Sequence, residues 1–181
     1  YNRTSHQDSS FEKNPSLKDK QICLFEKEIK NKSIIDFGCG EGLFLKNIQE
    51  KIPYKKLVGV DVFIPESLRK NRKIKFISSS IITFHSNEKF DIAFSDNVLE
   101  HISTLDYSTH FQSVFKSLKP GGKFIIIMPN KLFGPSDITR IFDNSSSGKL
   151  LAKGGHLNES TYTEMNYFLS KAGFNNFQTV M

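Results

Sequence analysis

Cysteine is almost missing from this chain, with only Cys23 and Cys39 present. That excludes a disulfide scaffold. Cys39 sits inside a glycine-rich loop, a poor place for a structural bridge, so reduced thiols and a cytoplasmic address are the expectation. Arginine is scarce as well. Arg3, Arg69, Arg72 and Arg140 are the only four among 25 basic residues, which is few for a reader of phosphates. No apolar run approaches the roughly 20 residues that a membrane span needs, so no span is expected. There is no repeat and no low-complexity segment. No His/Cys spacing suggests zinc, and no metal is expected.

The 181 residues suit one globular domain with a real core, since 38% are hydrophobic and 24% charged. Residues 1–32 are expected as a polar tail and a helix packed on a domain spanning 33–181. The formal charge of +6 invites a nucleic-acid partner, but its distribution argues otherwise. Lys51, Lys55, Lys56, Arg69, Lys70, Arg72, Lys73 and Lys75 flank the starts of two predicted strands. Ligands of open α/β sheets bind beyond the strand ends. The charge therefore reads as a solvated far face, and a small molecule is the expected partner. The oligomeric state is left open.

Periodicity predicts alternating strands and helices. Ile22, Phe25 and Ile29 mark an amphipathic helix within Ser16–Lys30. Strands follow at Ser33–Phe37, Lys56–Val60, Ile74–Ser78 and Phe90–Ser95. Helices are predicted over Glu41–Lys51, near Glu66–Arg69, over Ser108–Leu118 and over Ser160–Ala172. Lys119-Pro120-Gly121-Gly122-Lys123 predicts a turn before a fifth strand at Phe124–Met128. Asn176–Met181 is predicted to start a sixth strand. Lys131 to Gly155 is a long, polar connection of the kind used for lids. The pattern is that of a parallel, doubly wound α/β sheet.

Ser33-Ile34-Ile35-Asp36-Phe37-Gly38-Cys39-Gly40-Glu41-Gly42-Leu43 carries the most information. An apolar strand ends in an acid, glycines alternate, and a helix begins. A dinucleotide site wants G-x-G-x-x-G, with a pyrophosphate at the helix N-terminus. Here an acid precedes the glycines in D-x-G-x-G-x-G, which suits a cationic ligand without phosphate. This resembles motif I of the class I S-adenosylmethionine-dependent methyltransferases. Phe90 to Ile102, Leu118 to Lys123 and Ala172-Gly173-Phe174 resemble later segments of the same family, in the family's order. The closest resemblance is to its type 11 and type 23 members.

That resemblance implies a Rossmann-like methyltransferase sheet and S-adenosylmethionine as cofactor. It implies that Asp36 and the Gly38-Cys39-Gly40 backbone surround the methionine half, with Gly42 permitting close approach. Asp61, followed by Val62, takes the ribose hydroxyls. The backbone of Ser95, Asp96 and Asn97 meets the methionine end. The family's usual acid after the third strand is replaced by Ser80. The family's seventh strand is not expected within these residues, leaving six.

His156 and His101 are the candidate general bases, the first closing the long connection and the second following strand four. Asp137, Arg140 and Asp143 could read a polar acceptor. Neither cysteine is placed as a nucleophile. The Asp/Asn-Pro-Pro-aromatic signature of base amino-methyltransferases is absent. The expected activity is methyl transfer to a small-molecule or saccharide-type acceptor, at oxygen. An RNA or protein methyltransferase, and a cofactor-binding protein without catalysis, stay open as alternatives.

Overall fold

The computed structural model describes residues 17–133 and 156–180. Five strands, β1 (Ser33–Phe37), β2 (Lys56–Asp61), β3 (Ile74–Ser78), β4 (Phe90–Asp96) and β5 (Leu118–Ile127), form one sheet in the order β3-β2-β1-β4-β5. Every pairing is parallel, with Ile35 opposite both Val58 and Ala93. The helices are α1 (Leu17–Ile29), α2 (Leu43–Lys51), α3 (Glu66–Arg69), α4 (Tyr107–Ser117) and α5 (Tyr162–Lys171). Short 3₁₀ turns occupy Leu99–His101 and Lys131–Phe133.

Parallel strands covered on both faces need near-continuous apolar runs. β1 supplies one, and all five of its residues are buried. Its two faces feed two cores. Ile34 packs with Ile22 and Ile29 of α1, Phe44, Leu45 and Ile48 of α2, and Phe94. Ile35 and Phe37 pack with Val58, Val60, Phe90, Ala93 and Val114 of α4. A third cluster joins Tyr107 and Phe111 of α4 to Met165 and Leu169 of α5. α5 opens with a capping box, in which the Thr161 hydroxyl accepts from the Glu164 amide and the Glu164 carboxylate accepts from the Thr161 amide.

Two expectations need correction. Among the described residues the sheet has five strands, not six, because residues 174–180 form no strand. Phe174 instead places its ring against Phe115 and Phe124, so its apolar surface is buried without backbone pairing. The turn expected at Lys119–Lys123 lies within β5. Phe90 pairs with Leu118 and Ile92 with Lys123, so Lys119 to Gly122 bulge opposite Asp91. Gly121, at φ 74°, makes that bulge possible.

The basic far face is partly neutralised. Lys56 and Lys75 both pair with Glu88, and Lys51 pairs with Asp19. Asp91 at the amino end of β4 accepts from the Ser33 amide and hydroxyl and from Lys119. Burial alone would raise its carboxyl, but these bonds hold it below the usual carboxylate range.

Candidate active site

The order of the sheet reverses between β1 and β4, which run outward to opposite sides from there. A crevice beyond the carboxyl ends is dictated at such a point. A cavity of about 280 Å³ lies there, lined by Lys18, Asp36, Gly38, Cys39, Gly40, Glu41, Leu43, Phe44 and Asp96. Two of the acids are strand residues, Asp36 one residue before the end of β1 and Asp96 ending β4.

The loop from β1 to α2 is shaped by its backbone. The amides of Gly38 and Cys39 both donate to the Val60 carbonyl, at 2.8 and 3.2 Å, which turns the chain sharply over β2. Gly38 has φ 79°, a conformation that costs glycine nothing. A Cβ on Gly40 would meet nothing within 4 Å, so the backbone there is open to an approaching ligand. Gly42 precedes α2, and a Cβ on it would strike the Phe76 ring at 2.7 Å. Its close approach is therefore to β3, and it does not line the cavity.

Asp36 is fully buried, and that burial pushes its carboxyl up to about 7. Lys18 opposes the shift, while Asp96 and Asp61 add to it. Asp96 accepts from Lys18 Nζ, from Gln21 Nε2 at 2.9 Å and from Asn97 Nδ2 at 2.8 Å. Asp61 accepts from the Gly40 amide at 2.9 Å and the Phe63 amide at 3.1 Å. Each carboxylate oxygen keeps a second lone pair for a hydroxyl. Cys39 lines the cavity, but burial, with Asp36 and Asp61 nearby, drives its thiol far above the ordinary value. It is no nucleophile.

The remaining expected contacts, Val62, Ser80, Ser95 and Asn97, do not line the cavity. Val62 is exposed, and its carbonyl accepts from the Ser78 hydroxyl. The Ser80 hydroxyl accepts from the Ile82 amide at 3.3 Å. Ser95 is buried with no hydrogen-bond partner for its hydroxyl among the described residues. Asn97 has φ 52°, and its amide donates to the Ile127 carbonyl at 2.8 Å, so that amide serves the sheet.

His101 and His156 are brought together, with ring centroids 5.2 Å apart and planes at 79°. The approach is built by backbone bonds. The amides of Leu157 and Asn158 donate to the Glu100 carbonyl at 2.7 and 3.2 Å. His156 Nδ1 pairs with Glu159 Oε1 at 2.9 Å. Asp137, Arg140 and Asp143 lie outside the described residues, as do residues 134–155 of the long connection.

Sequence reasoning missed Lys18, Gln21, Glu100 and Glu159. Glu100 had a signal, since it directly precedes His101 just past the end of β4. Lys18 had none, because only the docking of α1 brings it to Asp96.

A family model described as a methyltransferase domain, Methyltransf_23, matches residues 7–179. The chain belongs to that methyltransferase family. S-adenosylmethionine is the family's cofactor, and the residues fit it. Two buried acids face a cavity at the sheet's switch point, and the open backbone at Gly40 can take a ligand alongside. The chain is 34% identical over 89 residues to a malonyl-[acyl-carrier protein] O-methyltransferase of Calditerrivibrio nitroreducens, covering 49% of this chain and 35% of that protein. It is 24% identical over 106 residues to a trans-aconitate 2-methyltransferase of an Acidovorax species, covering 57% and 40%. It thus spans about two fifths or less of these relatives' length. An S-adenosylmethionine-dependent methyltransferase from Mesorhizobium loti shares the fold at TM-score 0.66 and 18% identity, over 88% of this chain and 82% of that one. A Burkholderia thailandensis 1,6-didemethyltoxoflavin-N1-methyltransferase, solved with S-adenosylhomocysteine, does so at 0.66 and 17%, over 91% and 70%. No helix among the described residues is long and apolar enough to cross a membrane.

Proposed function

We propose that this methyltransferase transfers a methyl group to an oxygen of a small-molecule acceptor, of saccharide or carboxylate type. The observation that carries the reading is the pair His101 and His156, brought together at the turn that follows β4, the strand whose last residue, Asp96, lines the cavity. In this reading Asp61 accepts the ribose hydroxyls. Asp36 and Asp96 balance the cofactor's positive charge, and the loop from Gly38 to Gly42 positions it. Bound, the cofactor supplies an electrophilic methyl group on a sulfonium.

The residues around the cavity would hold such a cofactor so that an acceptor oxygen could take its methyl group, with the electron pair of the broken carbon–sulfur bond going back to sulfur. The acceptor's proton leaves by way of His156, whose Nδ1 is held by Glu159 so that Nε2 points outward from that pair. Positioning and exclusion of water do most of the rest. The relative that is an O-methyltransferase acting on a malonyl group supports an oxygen acceptor. Of the basic residues near the strand starts, Lys56 and Lys75 pair with Glu88 and Lys51 with Asp19, which argues against a free basic face for RNA.

Methyl-labelled S-adenosylmethionine offered with hydroxyl, carboxyl and amine acceptors tests this. The expected products are methyl ethers or esters, with His156→Ala slowing turnover by roughly 10²–10⁴-fold. Transfer to RNA or protein alone, or binding without turnover on any acceptor, contradicts it.

A further inference from the structure

The His101–His156 pair has a third member. A carboxylate oxygen of Glu100 and one ring nitrogen from each histidine lie within 4.8 Å of one another. Glu100 is 1% exposed, and its Oε2 has no hydrogen-bond partner among the described residues. A buried carboxylate oxygen without a partner is costly, and in a native protein it calls for an explanation. Two imidazoles at the same spot supply one, since two histidines and one carboxylate form a donor set for divalent transition metals.

The surroundings match that use. Glu159 is buried, and it grips His156 Nδ1 at 2.9 Å. A carboxylate bonded to the far ring nitrogen orients a ligating histidine and raises its basicity. The backbone bonds from residues 157 and 158 to the Glu100 carbonyl fix the second histidine's segment onto the first's. The Tyr107 hydroxyl lies 2.7 Å from Asn158 Oδ1, and Asn158 Nδ2 in turn donates to carbonyls of Leu99 and Ile102. Both histidine segments are thus locked to the same short turn before any ligand arrives.

We infer that Glu100, His101 and His156 form a binding site for a divalent transition-metal ion, with Glu159 as the positioning residue behind His156. Nitrogen and carboxylate donors in this ratio suit zinc, manganese, iron(II) or cobalt rather than magnesium or calcium, which take oxygen. Three protein ligands leave positions open for an oxygen ligand. Glu100 and His101 lie in the short turn that follows β4, the strand whose last residue, Asp96, lines the cofactor cavity. In such a place an ion would take over the activation of the acceptor oxygen, orienting it and lowering its pKa, and His156 would then hold the ion instead of accepting the proton. That role rests on the oxygen-acceptor reading above, whereas the binding site does not. It also replaces the sequence expectation of no metal. His101 and His156 are far apart in the chain, so no local spacing announces them.

The test uses the full chain, stripped with a chelator and titrated with Co²⁺ alone. Visible absorption reports the ligand field, and Zn²⁺ displaces the cobalt. The expected result is saturable uptake of about one ion per chain, weakened about 100-fold or more in Glu100→Gln and His101→Ala, and about 10-fold in Glu159→Gln. His101 is exposed, so His101→Ala keeps the test valid if the buried Glu100 variant does not fold. No saturable uptake, or equal uptake by wild type and a His101→Ala/His156→Ala double variant, overturns the site. Metal uptake without methylation of any oxygen acceptor would sink the acceptor reading alone. Unchanged oxygen methylation by stripped protein would remove the ion's role in the reaction.

Discussion

Lys18 of α1 reaches across to Asp96 at the end of β4 and forms an ion pair with a carboxylate that is 5% exposed. The pair ties the first helix to the floor of the cofactor cavity, and Gln21, one turn on, bonds the same oxygen. It also places a protein cation between two buried acids where a cationic ligand is expected. Removing it leaves Asp96 buried with less compensation, a change that costs about 1–3 kcal/mol. Lys18→Met should lower the melting temperature of the ligand-free protein. Added S-adenosylmethionine should recover much of the loss, because its own positive charge is expected opposite Asp36 and Asp96. Equal melting temperatures for the two ligand-free proteins would show that the pair stabilises nothing.

Asp36 makes stability depend on pH with a definite sign. Its folded carboxyl titrates at about 7, against an ordinary 3.8. Between those values the unfolded chain loses the proton while the folded one keeps it. Ligand-free stability from this group therefore falls as pH rises from about 4 to 7, then levels off. Asp36→Asn should remove that slope and be the more stable form at pH 8. A cationic ligand favours the carboxylate, so binding near pH 6 should release a proton. Calorimetric heats of binding in buffers of different ionisation enthalpy would show it. Heats independent of buffer, or a variant with the wild-type slope, would contradict the assignment.

Gly59 in β2 has no room for a side chain. A Cβ there would lie 2.7 Å from Cys39 Sγ, 2.9 Å from the Phe76 ring and 3.0 Å from Leu45. Overpacking of this kind costs about 1–3 kcal/mol. Gly59→Ala should therefore lower the denaturation midpoint and, by pushing Cys39, weaken cofactor binding as well. A variant as stable as wild type would mean that the loop and β3 give way freely.

Much of this was legible in the sequence. β1 and the loop after it could be read because an unbroken apolar run, an acid and alternating glycines leave few other conformations. α3 and β3 fall within the expected bounds for similar local reasons. The misreadings came from tertiary context. Asn176–Met181 carries strand-like residues, but Phe174 is buried by Phe115 and Phe124 while the segment after it stays unpaired. The Pro-Gly-Gly chemistry at 120–122 does bend the chain, but as a bulge that lets β5 continue. Lys18 and Glu159 act at the site only through packing between distant segments, which no local pattern encodes.

S-adenosylmethionine is expected in the cavity at the ends of β1 and β4, with its ribose hydroxyls on Asp61. The direct measurement is calorimetric titration of folded wild-type and Asp61→Ala protein with S-adenosylmethionine. Loss of charge-assisted hydrogen bonds to two hydroxyls typically costs about 1.5–3 kcal/mol, or roughly 10- to 150-fold in affinity. The expected result is saturable binding by the wild type and a loss of that size in the variant, with the fold retained. Equal affinity in the two proteins, or no binding by the wild type, would contradict it.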